Sequence, residues 1–202
     1  DFFEKRIFQP LGMVDTGFHV TPEARDRFAA LYSPPTGPSL RAIARRETVF
    51  EEKPGGLVLQ ESASENRWLE PASFYSGGGG LTGTISDYAR FCRMLLNGGE
   101  FGGARILSSR TVAFMMQNHL PGKVDIAQMN REGWLESSLE GIGFGFGGGI
   151  VLDPVDAQTL TSEGEYYWGG AASTLFWIDR KEDLFVVFLT QLMPSSTYPV
   201  RL

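Results

Sequence analysis

The chain holds one cysteine, Cys92, and two histidines, His19 and His119, among 202 residues. A single thiol excludes an internal disulfide, and so few soft donors cannot build a Cys/His zinc site. No metal and no other cofactor is therefore expected. Positive charge is also scarce. Lys and Arg number 18 against 24 Asp and Glu, a net charge of −6, whereas nucleic-acid binding needs a basic face. No apolar run approaches the roughly 18 residues of a membrane span. There is no Gly-x-Ser-x-Gly nucleophile elbow to partner a histidine, so His19 and His119 are read as structural or surface residues. What remains is an ordinary apolar share of 42%, in a chain long enough for one domain with a substantial core.

Helical signals dominate the first two thirds. Phe3 and Ile7 share a helical face over residues 1–8, and Pro10 is expected to stop that helix. Thr21-Pro22-Glu23 starts a short helix. Residues 33–75, broken by Pro34, Pro35, Pro38, Pro54 and Gly55-Gly56, read as short strands and loops. Thr84 or Ser86 caps the clearest helix, in which Tyr88, Phe91, Cys92 and Leu95 recur at helical spacing. Cys92 on that apolar face is a packing residue. Asn97-Gly98-Gly99 ends the helix. A second helix starts at Ser108 and carries Val112, Met115, Met116 and His119, the last at its C-terminus. Residues 120–140 read as a loop, and the Gly-Phe alternation over 141–149 leads into a strand through Val151. Asp87 is read as serving the start of its helix, where negative charge is favoured. Glu163 and Glu165 are read as solvated. Two Gly-x-Gly-x-x-Gly matches, from Gly78 and from Gly143, lack the strand–turn–helix setting of a dinucleotide site and are read as turns or close packing.

The most informative tract is Tyr166-Tyr167-Trp168-Gly169-Gly170-Ala171-Ala172-Ser173, continuing to Asp179. It reads as one strand, unusually small in its middle. Glycine in a strand usually marks close approach of a ligand or another backbone. A polar turn, Asp179–Asp183, separates it from Leu184–Leu189, a continuous apolar run expected as a buried central strand of the same hairpin.

These segments resemble the serine β-lactamase (class C) and DD-peptidase superfamily. Its last catalytic box reads Lys-Thr-Gly or His-x-Gly in the class C branch and often Trp-Gly-Gly in family VIII carboxylesterases, as at Trp168-Gly169-Gly170. Pro10-Leu11-Gly12-Met13-Val14-Asp15-Thr16 is similar to the group's Pro-Leu-Gly-Met-x-Asp-Thr segment. Ser76-Gly77-Gly78-Gly79-Gly80-Leu81, running on to Asp87-Tyr88-Ala89-Arg90-Phe91, is similar to its Gly-rich lead-in to a helix. The order is the family's. The family's Ser-x-x-Lys and Tyr-x-Asn boxes are missing, and both normally precede the Pro-Leu-Gly-Met segment. The resemblance therefore implies the C-terminal portion of a longer hydrolase, without its first strands and final helix, whose nucleophile and base lie upstream.

The implied fold is α+β, an antiparallel sheet flanked by helices. One domain portion is expected over 1–202, with a helical region to about 140 and sheet strands from about 141 to 192. The implied chemistry is hydrolysis of a short-chain carboxylic ester through an acyl-enzyme. The alternatives are a β-lactamase, a D-amino-acid peptidase, or a catalytically silent binding homologue. Carried over by position, Ala171 would supply an oxyanion-hole N–H, and Tyr167, Trp168, Gly169 and Gly170 would line the substrate. Trp in place of a cation cannot pair with a substrate carboxylate, which favours a neutral ester over a β-lactam-like anion. The other partners implied are the missing N-terminal half and, through exposed strands, a second copy of the chain.

Overall fold

The computed structural model describes residues 1–35, 56–129 and 139–198. The expected loops over 36–55 and 130–138 lie outside these. The chain begins with a π-helical stretch, Glu4–Phe8, that passes directly into α1 (Gln9–Leu11). Pro10 does not stop it. The preceding turn is π-wound, with the Gln9 N–H on the Glu4 carbonyl, and the run continues past Pro10 to end at Gly12 in the left-handed conformation, φ +67°. The Thr21 start gives the short 3₁₀ helix Pro22–Arg27. A small hairpin follows, β1 (Leu31–Ser33) with β2 (Val58–Glu61).

The longest helix, α2 (Ile85–Leu96), is capped by Thr84, whose hydroxyl accepts the Asp87 N–H at 3.3 Å. Its inward positions are Cys92, Met94 and Leu95, all essentially without solvent contact. Each such apolar side chain contributes about 1.5–3 kcal/mol by burial. A second hairpin, β3 (Glu100–Phe101) with β4 (Ala104–Arg105), leads to α3 (Ser109–Met115), capped by Ser108. Between 120 and 130 the chain forms a 3₁₀ turn, Pro121–Lys123, and a one-turn helix α4 (Ile126–Met129), not only loop.

The main sheet has five antiparallel strands in sequence order: β5 (Ile142–Phe144), β6 (Gly149–Val151), β7 (Tyr166–Gly170), β8 (Thr174–Asp179) and β9 (Leu184–Phe188). Two sequence expectations change here. The single strand expected over 166–179 is two strands folded on a three-residue turn, Ala171-Ala172-Ser173, with Gly170 opposite Thr174. Small residues without stiff side chains permit that reversal. The run Leu184–Phe188 is an edge strand among the described residues, not a central one, and Leu184, Phe188 and Leu189 are exposed.

Strand alternation sorts the sheet into two faces. On one, the rows Tyr166–Ile178–Phe185 and Trp168–Phe176–Val187 run across β7, β8 and β9. Helix α2 covers this face: Tyr88 packs on Phe176, with ring centres 5.3 Å apart, and the Arg93 guanidinium lies 5.7 Å over Phe185. The opposite face carries the rows Tyr167–Trp177–Val186 and Leu175–Phe188, together with Leu184.

Candidate functional site

The Trp168-Gly169-Gly170-Ala171 tract lies at the end of β7, where the helical cover runs out. Trp168 shares a face with the buried Phe176, yet it is 38% exposed. Its ring meets Phe144 edge-to-face, with centres 5.0 Å apart. Phe144, drawn from the Gly-Phe alternation, thereby joins Trp168 in one aromatic wall, a role that the sequence alone did not indicate. Tyr167 points the other way. It is half-buried, and its Cε1 lies 3.2 Å from where a Cβ on Gly149 would sit. Its side chain is therefore not brought together with that of Trp168.

Ala171 is exposed at the first position of the turn, not within a strand. Among the described residues no hydrogen bond engages its N–H. The rest of the turn is tied down. The Ala172 carbonyl accepts the Leu192 N–H at 3.2 Å and the Thr190 hydroxyl at 2.9 Å. The Ser173 carbonyl accepts the same hydroxyl at 3.2 Å. The Ser173 hydroxyl donates to the Leu192 carbonyl at 2.7 Å. Ser173 is buried and takes φ +58°, the left-handed conformation that usually calls for Gly or Asn. Leu192 and its neighbours are anchored in turn by β1. Tyr32 donates its N–H to the Gln191 carbonyl at 3.0 Å, and its carbonyl accepts from Met193 at 2.8 Å.

The two other segments that carry the resemblance meet each other. Asp87 is buried, and its Oδ2 accepts both the Asp15 N–H and the Thr16 hydroxyl at 2.8 Å. It thus pins the Pro-Leu-Gly-Met-x-Asp-Thr segment to the start of α2, a larger role than favouring a helix end. Gly17 and Thr82 exchange backbone hydrogen bonds beside it. Asp15 pairs through both oxygens with Arg27, at 2.5 and 3.0 Å, and this hydrogen bonding, with the guanidinium charge, holds its pKa below the ordinary carboxylate value. The Ser76–Gly80 glycines form a tight turn, with the Gly80 N–H on the Ser76 carbonyl at 2.9 Å.

The remaining titratable candidates are structural. Cys92 is fully buried, and burial pushes its thiol up to about 12. A ring nitrogen of His119 lies 2.7 Å from the Phe114 carbonyl oxygen and so must donate to it. The ring also stacks on Phe146, with centres 4.4 Å apart, beyond the end of α3 and not within it. His19 is exposed, and so is Glu163. Glu165 is half-buried and not fully solvated. Burial raises its pKa, the Asp179 charge adds to this, and the Thr161 hydroxyl at 2.6 Å opposes it. For Asp179, burial works against ionisation. Hydrogen bonds from Ser162 and from the Glu182 and Lys181 N–H groups outweigh it, and the pKa is lowered.

The Beta-lactamase family model matches residues 1–201. Protein Rv1367c of Mycobacterium tuberculosis is 31% identical over 196 residues, a match covering 95% of this chain and 43% of that protein. Esterase EstB of Burkholderia gladioli is 28% identical, covering 91% of this chain and 42% of the esterase. Among solved structures, EstCE1, described as a hydrolase with promiscuous acyltransferase activity, superposes with a TM-score of 0.67 at 27% identity, covering 95% of this chain and 45% of EstCE1. The chain thus spans less than half the length of each of these proteins.

Proposed function

The chain belongs to the Beta-lactamase family, and from that premise we propose that it is the part of a serine hydrolase that presents one wall and one oxyanion donor to a neutral carboxylic ester. The observation that carries this reading is the wall of exposed Trp168 and half-buried Phe144, near an Ala171 N–H that is free of hydrogen bonds among the described residues. Ester attack places negative charge on the carbonyl oxygen. A backbone N–H held ready at that point stabilises the charge without reorganising. Trp168 offers an apolar face and one N–H donor, and no positive charge to pair with a carboxylate.

The whole protein would supply the nucleophilic serine and its base from residues outside this chain. The serine oxygen bonds to the ester carbonyl carbon as its proton passes to the base. The C–O bond to the alcohol then breaks, and the alcohol leaves with that proton. Water repeats the cycle on the acyl-enzyme and releases the acid. The names of the esterase and of the hydrolase with acyltransferase activity among the similar proteins support this chemistry over β-lactam hydrolysis.

The test uses the full-length protein. Its specificity constant for p-nitrophenyl butyrate should exceed that for a chromogenic cephalosporin. The reverse order would favour a β-lactamase, and no turnover with no labelling by a fluorophosphonate would favour a silent binding homologue. Ala171→Gly keeps the donor and should cost little. Ala171→Pro removes it and should lower turnover by on the order of 10²–10³, with circular dichroism confirming that the variant is folded. Normal turnover in a folded Ala171→Pro protein would place the oxyanion elsewhere.

A further inference from the structure

We propose that Thr190 and Ser173 are positioning residues that aim the Ala171 N–H at the substrate carbonyl, an inference that rests on the esterase reading above. The tract Gly169-Gly170-Ala171-Ala172 has no side chain long enough to hold its own conformation. Its geometry has to be fixed from outside. Four hydrogen bonds do so, all between the turn and the segment 190–192: the Thr190 hydroxyl to the Ala172 and Ser173 carbonyls, the Leu192 N–H to the Ala172 carbonyl, and the Ser173 hydroxyl to the Leu192 carbonyl.

The Thr190 hydroxyl is the centre of this clamp, because it spans two successive carbonyls at 2.9 and 3.2 Å. Holding these two carbonyls fixes the 172–173 and 173–174 peptide planes, and the Gly170–Ala171 plane that carries the Ala171 N–H is confined between them and the end of β7, where Gly170 pairs with Thr174. Ser173 supplies the second constraint. A non-glycine residue at φ +58° is held there by its surroundings, and its buried hydroxyl is the tie. The segment 190–192 is itself held by the Tyr32 backbone, so the turn is braced against the β1–β2 hairpin and not against a loose tail.

An oxyanion donor must be set before the reaction, within about half an ångström of its working place. Loosening the brace should therefore weaken transition-state binding and leave ground-state binding nearly intact. In the full-length protein, Thr190→Val keeps the β-branched shape and removes the hydroxyl. Its kcat for p-nitrophenyl butyrate is expected to fall by on the order of 10-fold to 10²-fold with KM within about twofold. Thr190→Ser, which restores the hydroxyl, should recover most of that loss. In an Ala171→Pro background the Thr190→Val loss should vanish, because the donor it aims is gone. A folded Thr190→Val protein with normal kcat, or a loss that persists undiminished beside Ala171→Pro, would overturn the proposal.

Amide hydrogen exchange decides the clamp separately from the chemistry. Thr190→Val and Ser173→Ala should each speed exchange at Leu192, whose N–H donates to the Ala172 carbonyl, while leaving α2 unchanged. Unaltered exchange there would overturn the clamp. A wild-type protein inert toward esters, or an Ala171→Pro variant without effect, would instead overturn the esterase reading, and exchange would still report on the brace.

Discussion

Replacing Asp87 by alanine would strand two donors at once, the Asp15 N–H and the Thr16 hydroxyl that its buried Oδ2 receives. Hydrogen bonds to a charged acceptor contribute about 1.5–3 kcal/mol each, and buried donors left unpaired add their desolvation cost. Asp87→Ala should therefore lower the full-length protein's unfolding free energy by about 3 kcal/mol or more, measured by urea titration. Asp87→Asn keeps an acceptor oxygen and should cost less. Glu165 behaves oppositely. Its pKa is raised in the folded protein, mainly by burial. The folded state then binds the proton more tightly than the unfolded state does, and stability falls as pH rises through the window above the unfolded Glu value of about 4.3. Glu165→Gln retains an acceptor for Thr161 and removes that penalty. The variant should melt higher than the wild type at neutral pH, and the gap should close as pH falls toward the unfolded value. A gap that widens on acidification would contradict the assignment.

Among elements, the β5–β6 hairpin depends most on backbone proximity. A Cβ at Gly145 would sit 2.2 Å from the Met115 carbonyl oxygen at the end of α3. No side chain can yield there, so Gly145→Ala should destabilise by at least the roughly 1–3 kcal/mol of an overpacked core, and thermal melting would show it. A Cβ at Gly143 would likewise meet Asn118 at 2.5 Å and one at Gly148 the Tyr166 ring at 2.7 Å, so close packing explains the Gly-x-Gly-x-x-Gly spacing from Gly143 without any nucleotide. Helices α2 and α3 were legible in the sequence because cap, spacing and stop agreed at Thr84, at Ser108 and at Asn97-Gly98-Gly99. The turn at Ala171–Ser173 was not. Alanine carries no turn signal and serine only a weak one, and the conformation of Ser173 is held by hydrogen bonds with Thr190 and Leu192, residues distant in sequence. The edge position of β9 was hidden for a related reason. A strand of Leu, Phe and Val reads as buried on both faces, whereas its neighbours are set by the pairing of the whole sheet. Phe144 entered the wall beside Trp168 through strand order, which local pattern does not encode.

Taken whole, the sheet has a helix-covered face and a second face bearing Trp177 and Val186, both half-buried, with Leu184 and Phe188 exposed on the edge strand. Apolar rows of that extent, beside a strand edge that is unpaired among the described residues, invite association. The isolated 202-residue chain is therefore expected to bind a hydrophobic dye and to sediment as more than a monomer, and it should resist fluorophosphonate labelling. A clean monomer that leaves the dye dark would show that this face is satisfied within the chain. Leu184→Glu together with Phe188→Lys should reduce both signals without disturbing the α2 side of the sheet.

The brace on the Ala171 turn also imposes an order in time. Protein synthesis is directional, and the Trp-Gly-Gly tract leaves the ribosome about twenty residues before Thr190 and Leu192, the groups that fix its shape. Until β8 and β9 have been made and paired, the turn has nothing to close against. Whatever chemistry the tract supports is switched on late, by the arrival of its own downstream tether.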